Sequence, residues 1–143
     1  ESGPSPAFLQ AFHVVRVSIE VEAAALAARH REGEHIRLLS YWMNQRAMMA
    51  MQPEPFALAE FEIHRLICEA TANPFLRAAS AIVEFGVAAA IAARLGTDQA
   101  VPPEGLAARK TARYVALLTA VEQGDESAAR RAMQEILSMD APE

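Results

Sequence analysis

Cysteine is all but missing from this sequence of 143 residues, where Cys68 stands alone. That excludes an internal disulfide framework and any zinc site built from several cysteines, and it fits a reducing cytoplasm. Basic residues are too few to grip a nucleic acid. Thirteen Lys and Arg against eighteen Asp and Glu leave a formal net charge of −5, whereas phosphate neutralisation demands clustered cations. The same deficit argues against a basic helix lying on a membrane surface. Long apolar runs are missing too: the longest uncharged, wholly apolar-looking stretch, Phe85 to Ala93, is about half of what a bilayer span needs. Residues 1–10 lack the basic start and continuous apolar core of a signal peptide. Catalytic groupings are equally scarce. No glycine-rich phosphate loop, nucleophile elbow or Cys–His–acid set stands out, and the Glu32–His35 spacing, which a di-iron bundle would repeat, spans Gly33 at a helix start. The expectation is a protein that is not an enzyme. The chain opens on Glu1 rather than Met and reads as a piece of a longer polypeptide.

Hydrophobic residues make up 52% of the chain but aromatics only 6%. Much of the apolar share is alanine, which favours closely packed helices over a bulky aromatic core. Residues 1–6, with Gly3, Pro4 and Pro6, read as a linker, and residues 7–140 as one domain. Apolar spacing predicts a first helix from Ala7 to His30 and a second from Glu34 to Met51. A third runs from Pro55 to Ala72, a fourth from Pro74 to Leu95 with Gly96 as its cap. After a loop holding Pro102 and Pro103, a fifth helix ends near Gln123, and Gly124-Asp125 launches a sixth that runs to Met139. The fold class is all-α: a single antiparallel bundle of about six helices.

Several polar residues fall where a core should be. In the first helix Phe8, Phe12, Val15, Ile19, Ala23, Leu26 and Ala27 share an arc, with Arg16 inside it and Glu20 at its edge. A guanidinium facing a core is costly unless an anion meets it. Either Glu20, one turn on, or an acid on another helix supplies that anion, or Arg16 receives the carboxylate of a small ligand in a bidentate fork. In the third helix Glu60, His64 and Thr71 line one edge of the apolar arc. Glu60 and His64 stand one turn apart, the spacing of a shared ligand or of a mutually bonded pair. Tyr114 falls mid-face on the fifth helix beside Leu106, Leu117, Leu118 and Val121, and its hydroxyl needs a partner. The sixth helix buries Ala129, Ala132, Met133 and Ile136. Met43, Met48, Met49 and Met51 make an adaptable apolar wall or plain core.

Three segments together resemble the FCD domain, the ligand-sensing C-terminal domain of the FadR branch of GntR-type bacterial transcription regulators. The first is Val15-Arg16-Val17-Ser18-Ile19-Glu20 with the alanine-rich run that follows it. The second is Glu60-Phe61-Glu62-Ile63-His64, then Ala70-Thr71-Ala72-Asn73-Pro74-Phe75-Leu76. The third is Ala120-Val121-Glu122-Gln123-Gly124-Asp125 with Ala128-Ala129. The resemblance implies a cavity that binds a small organic acid, a homodimer, a cytoplasmic setting, and DNA contact through an N-terminal winged helix that this chain does not contain. Many such domains hold a divalent metal with one aspartate and three histidines. By that pattern the aspartate position is Glu60 and the first histidine His64, while Tyr114 and Ile136 occupy the other two. The expectation is therefore no cofactor and no metal ligands, with at most a weakly held divalent ion at Glu60 and His64. The effector-binding residues expected are Arg16, Glu60, His64, Asn73 and Tyr114, with Arg16 holding the acidic end. Phe61 and Phe85, with Gly86, Ala88, Ala89 and Ala90, are the candidate dimer contacts. The competing expectation is a structural dimerisation bundle with a degenerate cavity that binds nothing.

Overall fold

The computed structural model describes residues 4–95 and 105–142. Ser5 accepts a hydrogen bond from the Phe8 amide and Pro6 takes the first turn, so α1 spans Pro6–His30. The chain continues through α2 (Gly33–Met48), α3 (Pro53–Glu69), α4 (Pro74–Leu95), α5 (Leu106–Gln123) and α6 (Glu126–Met139). No strand occurs among the described residues. Three expected boundaries move by two residues or more. α2 stops three residues before Met51, and α3 begins at Pro53 and ends before Thr71, whose hydroxyl bonds back to the Cys68 carbonyl. Gly96, Pro102 and Pro103 lie outside the described residues, as do the side chains of Ala90 and Leu106.

Two junctions show why the chain turns where it does. Gly124 closes α5 at φ 69°, a left-handed angle that a side chain would strain. The Asp125 amide then reaches back to the Ala120 carbonyl, while the Asp125 carboxylate caps α6 at the Ala128 amide. At the other junction Asn73 caps α4, its Oδ1 accepting from the Phe75 and Leu76 amides. That places Asn73 at the helix end rather than among the buried polar side chains.

α1 runs antiparallel to α6, and α5 and α6 form a hairpin; α2 and α3 form another, which α4 joins through α3. Ala23, Ala24, Ala27 and Ala28 are fully buried and form the α1 side of the core. Small side chains let the axes approach. Opposite them Met133, Ile136 and Leu137 of α6 are also fully buried, each contributing about 1.5–3 kcal/mol by leaving water. The N-terminal part of α1 departs from the expected arc: Phe8 and Val15 are exposed. The first buried side chains of α1 are Arg16 and Glu20. Met48 and Met51 are likewise exposed and form no inner wall. α4 crosses α1 at Gly86, where an added Cβ would fall 1.9 Å from the Phe12 ring.

Candidate functional site: a buried charge network beside a cleft

Arg16, Glu20, Arg46, Glu60, His64, Lys110 and Tyr114 are all buried, and they come from four different helices. Asp140, the residue that ends α6, completes the cluster. The helical repeat explains the convergence. Arg16 and Glu20, like Glu60 and His64, are one turn apart, and Lys110 and Tyr114 repeat that step on α5. Each pair therefore presents two polar groups on the face turned toward the centre.

The contacts form a continuous chain. Arg16 Nε donates to Glu20 Oε2 at 2.7 Å and its Nη1 to Asp140 Oδ2 at 3.2 Å. Lys110 Nζ bridges the Asp140 carboxylate and Glu60 Oε1, the latter at 3.2 Å. Arg46 Nε closes on Glu60 Oε2 at 2.8 Å and its Nη1 on Thr111 Oγ1 at 2.8 Å. Glu20 also receives His64 Nδ1, and His64 Nε2 lies 2.7 Å from the Tyr114 hydroxyl. Glu20 is held as a carboxylate and Tyr114 keeps its proton. Both ring nitrogens of His64 are therefore engaged, Nδ1 by the Glu20 carboxylate and Nε2 by the Tyr114 hydroxyl.

Three cations, Arg16, Arg46 and Lys110, meet three carboxylates, Glu20, Glu60 and Asp140. Neutrality of this kind lets charge survive burial, since an unmatched ion would cost several kcal/mol. The titration behaviour follows. Burial pushes the Asp140 carboxyl up, but Lys110 and Arg16 outweigh it and hold the group at about 2. For Glu60 burial is likewise overcome, by Lys110 and Arg46, despite repulsion from Asp140. At Glu20 burial yields to His64 and Arg16, so its pKa also lies below the ordinary value. Burial drives the Tyr114 phenol well above its ordinary value, and Glu60 and Asp140 add to the rise.

The sequence-predicted residues thus come together in four cases out of five. Arg16, Glu60, His64 and Tyr114 share the network, whereas Asn73 caps α4. Between the two roles weighed for Arg16, the contact formed is the one with Glu20. Glu60 and His64 do not bond each other: their polar atoms face Arg46 and Lys110 on one side, Glu20 and Tyr114 on the other. A divalent ion between them would meet the Lys110 ammonium, so the residues present do not fit one. Ile136, buried in the core, offers no ligand. Among the described residues no group of three or more His, Cys, Asp or Glu side chains is arranged to hold a metal ion.

Four participants were not anticipated. Arg46 falls on the same face as buried Leu39 and partly buried Trp42 and Met43. Lys110 heads the stripe Tyr114, Leu117, Val121. Both are cations inside an apolar repeat, the signal that exposes Arg16, and it would have exposed them as well. Thr111 follows Lys110 and is found only through its contact with Arg46. Asp140 lies beyond the last helical turn, where periodicity gives no signal.

Beside the network, α2 and α5 leave a cleft of about 130 Å³. Arg46, Thr111 and Tyr114 line its inner part, Met43 and Leu118 its apolar walls, and exposed Asn44 and Val115 its rim. The Arg46 guanidinium is stacked between two rings, 4.7 Å from the Phe56 centroid and 4.8 Å from that of Tyr114. Its Nη2 is closed off from solvent and has no hydrogen-bond partner among the described residues.

Comparison with known proteins agrees with the helical layout. Residues 11–139 match the FCD domain family. A solved structure, Streptococcus agalactiae GntR, superposes with a TM-score of 0.75 at 13% sequence identity. The match covers 93% of this chain and 57% of that one, so the chain spans little more than half the length of that relative. No curated protein matches the sequence. With a family match over residues 11–139, nearly the whole chain, the chain belongs to the FCD domain family.

Proposed function

We propose that this chain is the effector-sensing domain of a GntR-type transcriptional regulator. In this reading it binds a small organic acid and thereby controls DNA binding by a winged-helix domain outside the chain. The observation that carries the reading is a buried polar centre, in an FCD chain, that reaches a cleft through Arg46, Thr111 and Tyr114. A regulator of this kind works in the cytoplasm, and it needs no catalytic group and no metal. Negative charge on the sensing domain suits it, because phosphate contact would belong elsewhere. No described helix is long and apolar enough to cross a membrane.

The domain would act as a homodimer. Phe75, Ile82 and Phe85 are exposed along one stripe of α4, at 83%, 56% and 70%. Phe61 is partly buried on α3 and Gly86 is covered by Phe12, so the contact would centre on α4's outer face. Phe85→Glu should shift sedimentation toward the monomer while leaving the helical spectrum intact; an unchanged oligomer would remove α4 from the interface.

A thermal-shift screen against carboxylic and sugar acids, with and without chelator, tests the function. A ligand at 100 times its Kd adds about 2.7 kcal/mol, which for a domain of this size raises Tm by roughly 5–10 °C. The shift should survive the chelator, and metal analysis should find well under one transition metal per chain. A specific observation favours the second reading, a purely structural dimerisation bundle. Each carboxylate in the centre already has two partners within the protein. Silence across the whole panel would establish that reading instead.

A further inference from the structure

We propose that the cleft between α2 and α5 binds a short-chain monocarboxylate, with Arg46 Nη2 as the donor that meets its acidic end. This deepens the effector-sensing reading and rests on it. The starting point is an exception. Arg46 is 2% exposed, and its Nε and Nη1 are engaged by Glu60 and Thr111, yet Nη2 donates to nothing among the described residues. A buried guanidinium donor without an acceptor is unfavourable and uncommon. Arg46 is also part of the cleft lining, so the orphan donor and the available space belong to the same place.

The chemistry of the lining narrows the ligand. Arg46 is the one charged residue among the described lining residues; Ser40, Asn44, Thr111 and Tyr114 are neutral. The network behind it balances three cations against three carboxylates. One carboxylate can accept from the unused guanidinium donor, whereas a second or third would find no further cationic donor in the cleft. Met43, Val115 and Leu118 supply an apolar wall for a hydrocarbon tail. At about 130 Å³ the cleft is far below the roughly 300–1,000 Å³ of drug-sized sites, which restricts the tail to a few carbons. Nη2 is closed from solvent, so a carboxylate reaches it only when a wall side chain turns aside. Met43, unbranched with three rotatable bonds, is the side chain suited to that. The geometry differs from a grip by Arg16, whose contacts with Glu20 and Asp140 already occupy it.

The test uses straight-chain monocarboxylates from acetate to hexanoate, each beside its uncharged amide. A second panel holds dicarboxylates, tricarboxylates and sugar acids. Binding is read by Tm and by titration of ¹⁵N-labelled protein, following the Arg46 Nε–H and the Val115 amide. Val115→Trp closes the rim from an exposed position and leaves the core untouched; Arg46→Lys keeps charge but removes the guanidinium fork. The expected result is saturable binding of a mid-length acid, with the amide and both variants weaker by about tenfold or more, in line with losing a charged hydrogen bond or its site. Val115→Trp should match the parent in Tm without ligand, so its loss of binding cannot be misfolding. If acids bind the parent and Val115→Trp equally, the cleft assignment is wrong and the effector reading stands. If only the second panel binds, the monocarboxylate assignment is wrong. If neither panel binds, both readings fall.

Discussion

Replacing Lys110 by methionine removes one cation from the centre of the bundle while keeping a side chain of similar length and flexibility. Lys110 Nζ lies 3.2 Å from Glu60 Oε1 and also contacts Asp140. At an effective dielectric of 20, a unit pair at this distance attracts by about 5 kcal/mol. The methionine variant is relieved of burying an ammonium, which offsets part of that loss. What remains is two carboxylates in the interior, each still held by one arginine, Glu60 by Arg46 and Asp140 by Arg16. Breaking a buried pair from one side costs roughly 3–5 kcal/mol, and the surviving arginines place this case at the lower end. For a chain of this size that is a fall in Tm of about 10 °C. The pH dependence makes the argument specific. With Lys110 gone, burial and mutual repulsion push the Glu60 and Asp140 carboxyls upward, so protonation relieves the variant at a higher pH than the parent. Melting curves from pH 8 to pH 4 should therefore show the gap narrowing as the solution is acidified. A fall below about 3 °C at pH 7, or a gap that stays constant across that range, refutes the reasoning.

The remaining predictions concern neighbouring groups. Tyr114→Phe strands His64 Nε2, its one recorded partner on that side; the cost should be about 1–3 kcal/mol, read in a urea titration, with a changed ¹⁵N signature of the His64 ring. Asp140, held at about 2 against an ordinary 3.8, contributes about 2 kcal/mol that is fully present above pH 4 and lost as pH falls through about 2. Asp140→Asn should flatten that part of the stability curve; an unchanged acid limb would mean Asp140 is not charged in the folded core. Cys68 is fully buried, and burial with Glu20 nearby pushes its thiol up to about 12. It should resist thiol reagents until the chain unfolds, so rapid labelling of the native protein would contradict its placement.

How much of this was legible beforehand depends on the physical signal each part carries. The helices were, because their punctuation is local. Asn73-Pro74 and Gly124-Asp125 stop and start helices by capping, and both junctions occur where the residues indicate. The α2–α3 junction was less so, since Met49 to Gln52 carries no glycine, and the loop there follows from packing. Among the polar residues, Arg16, Glu60, His64 and Tyr114 were visible as interruptions of an apolar face. Glu20 was visible too, as an anion one turn from Arg16, but the other partners were not, because the pairing of Glu60 with Arg46 and Lys110 rather than with His64 is decided by helix crossings. Phe8 and Val15 show the opposite error: apolar periodicity put them on the covered arc, yet both are exposed.

The alanine face that α1 turns to the core has a mechanical consequence. Large side chains interlock like teeth and resist sliding, but Ala23, Ala24, Ala27 and Ala28 present little more than methyl groups. Such a surface holds two rods together without dictating their register. Here the register is set by charge at graduated positions along the antiparallel pair: Arg29 with Glu126, Glu22 with Arg130, and Arg16 with Asp140. A one-residue slip moves a helix by about 1.5 Å and a full turn by about 5.4 Å, steps at which all three pairings would be lost or exchanged together. The two outer pairs are partly exposed and weaken with salt, leaving Arg16 and Asp140 as the inner stop. Any event that loosened that stop would free α1 to travel along a smooth track, turning a rearrangement of charge in the interior into axial displacement of the first helix.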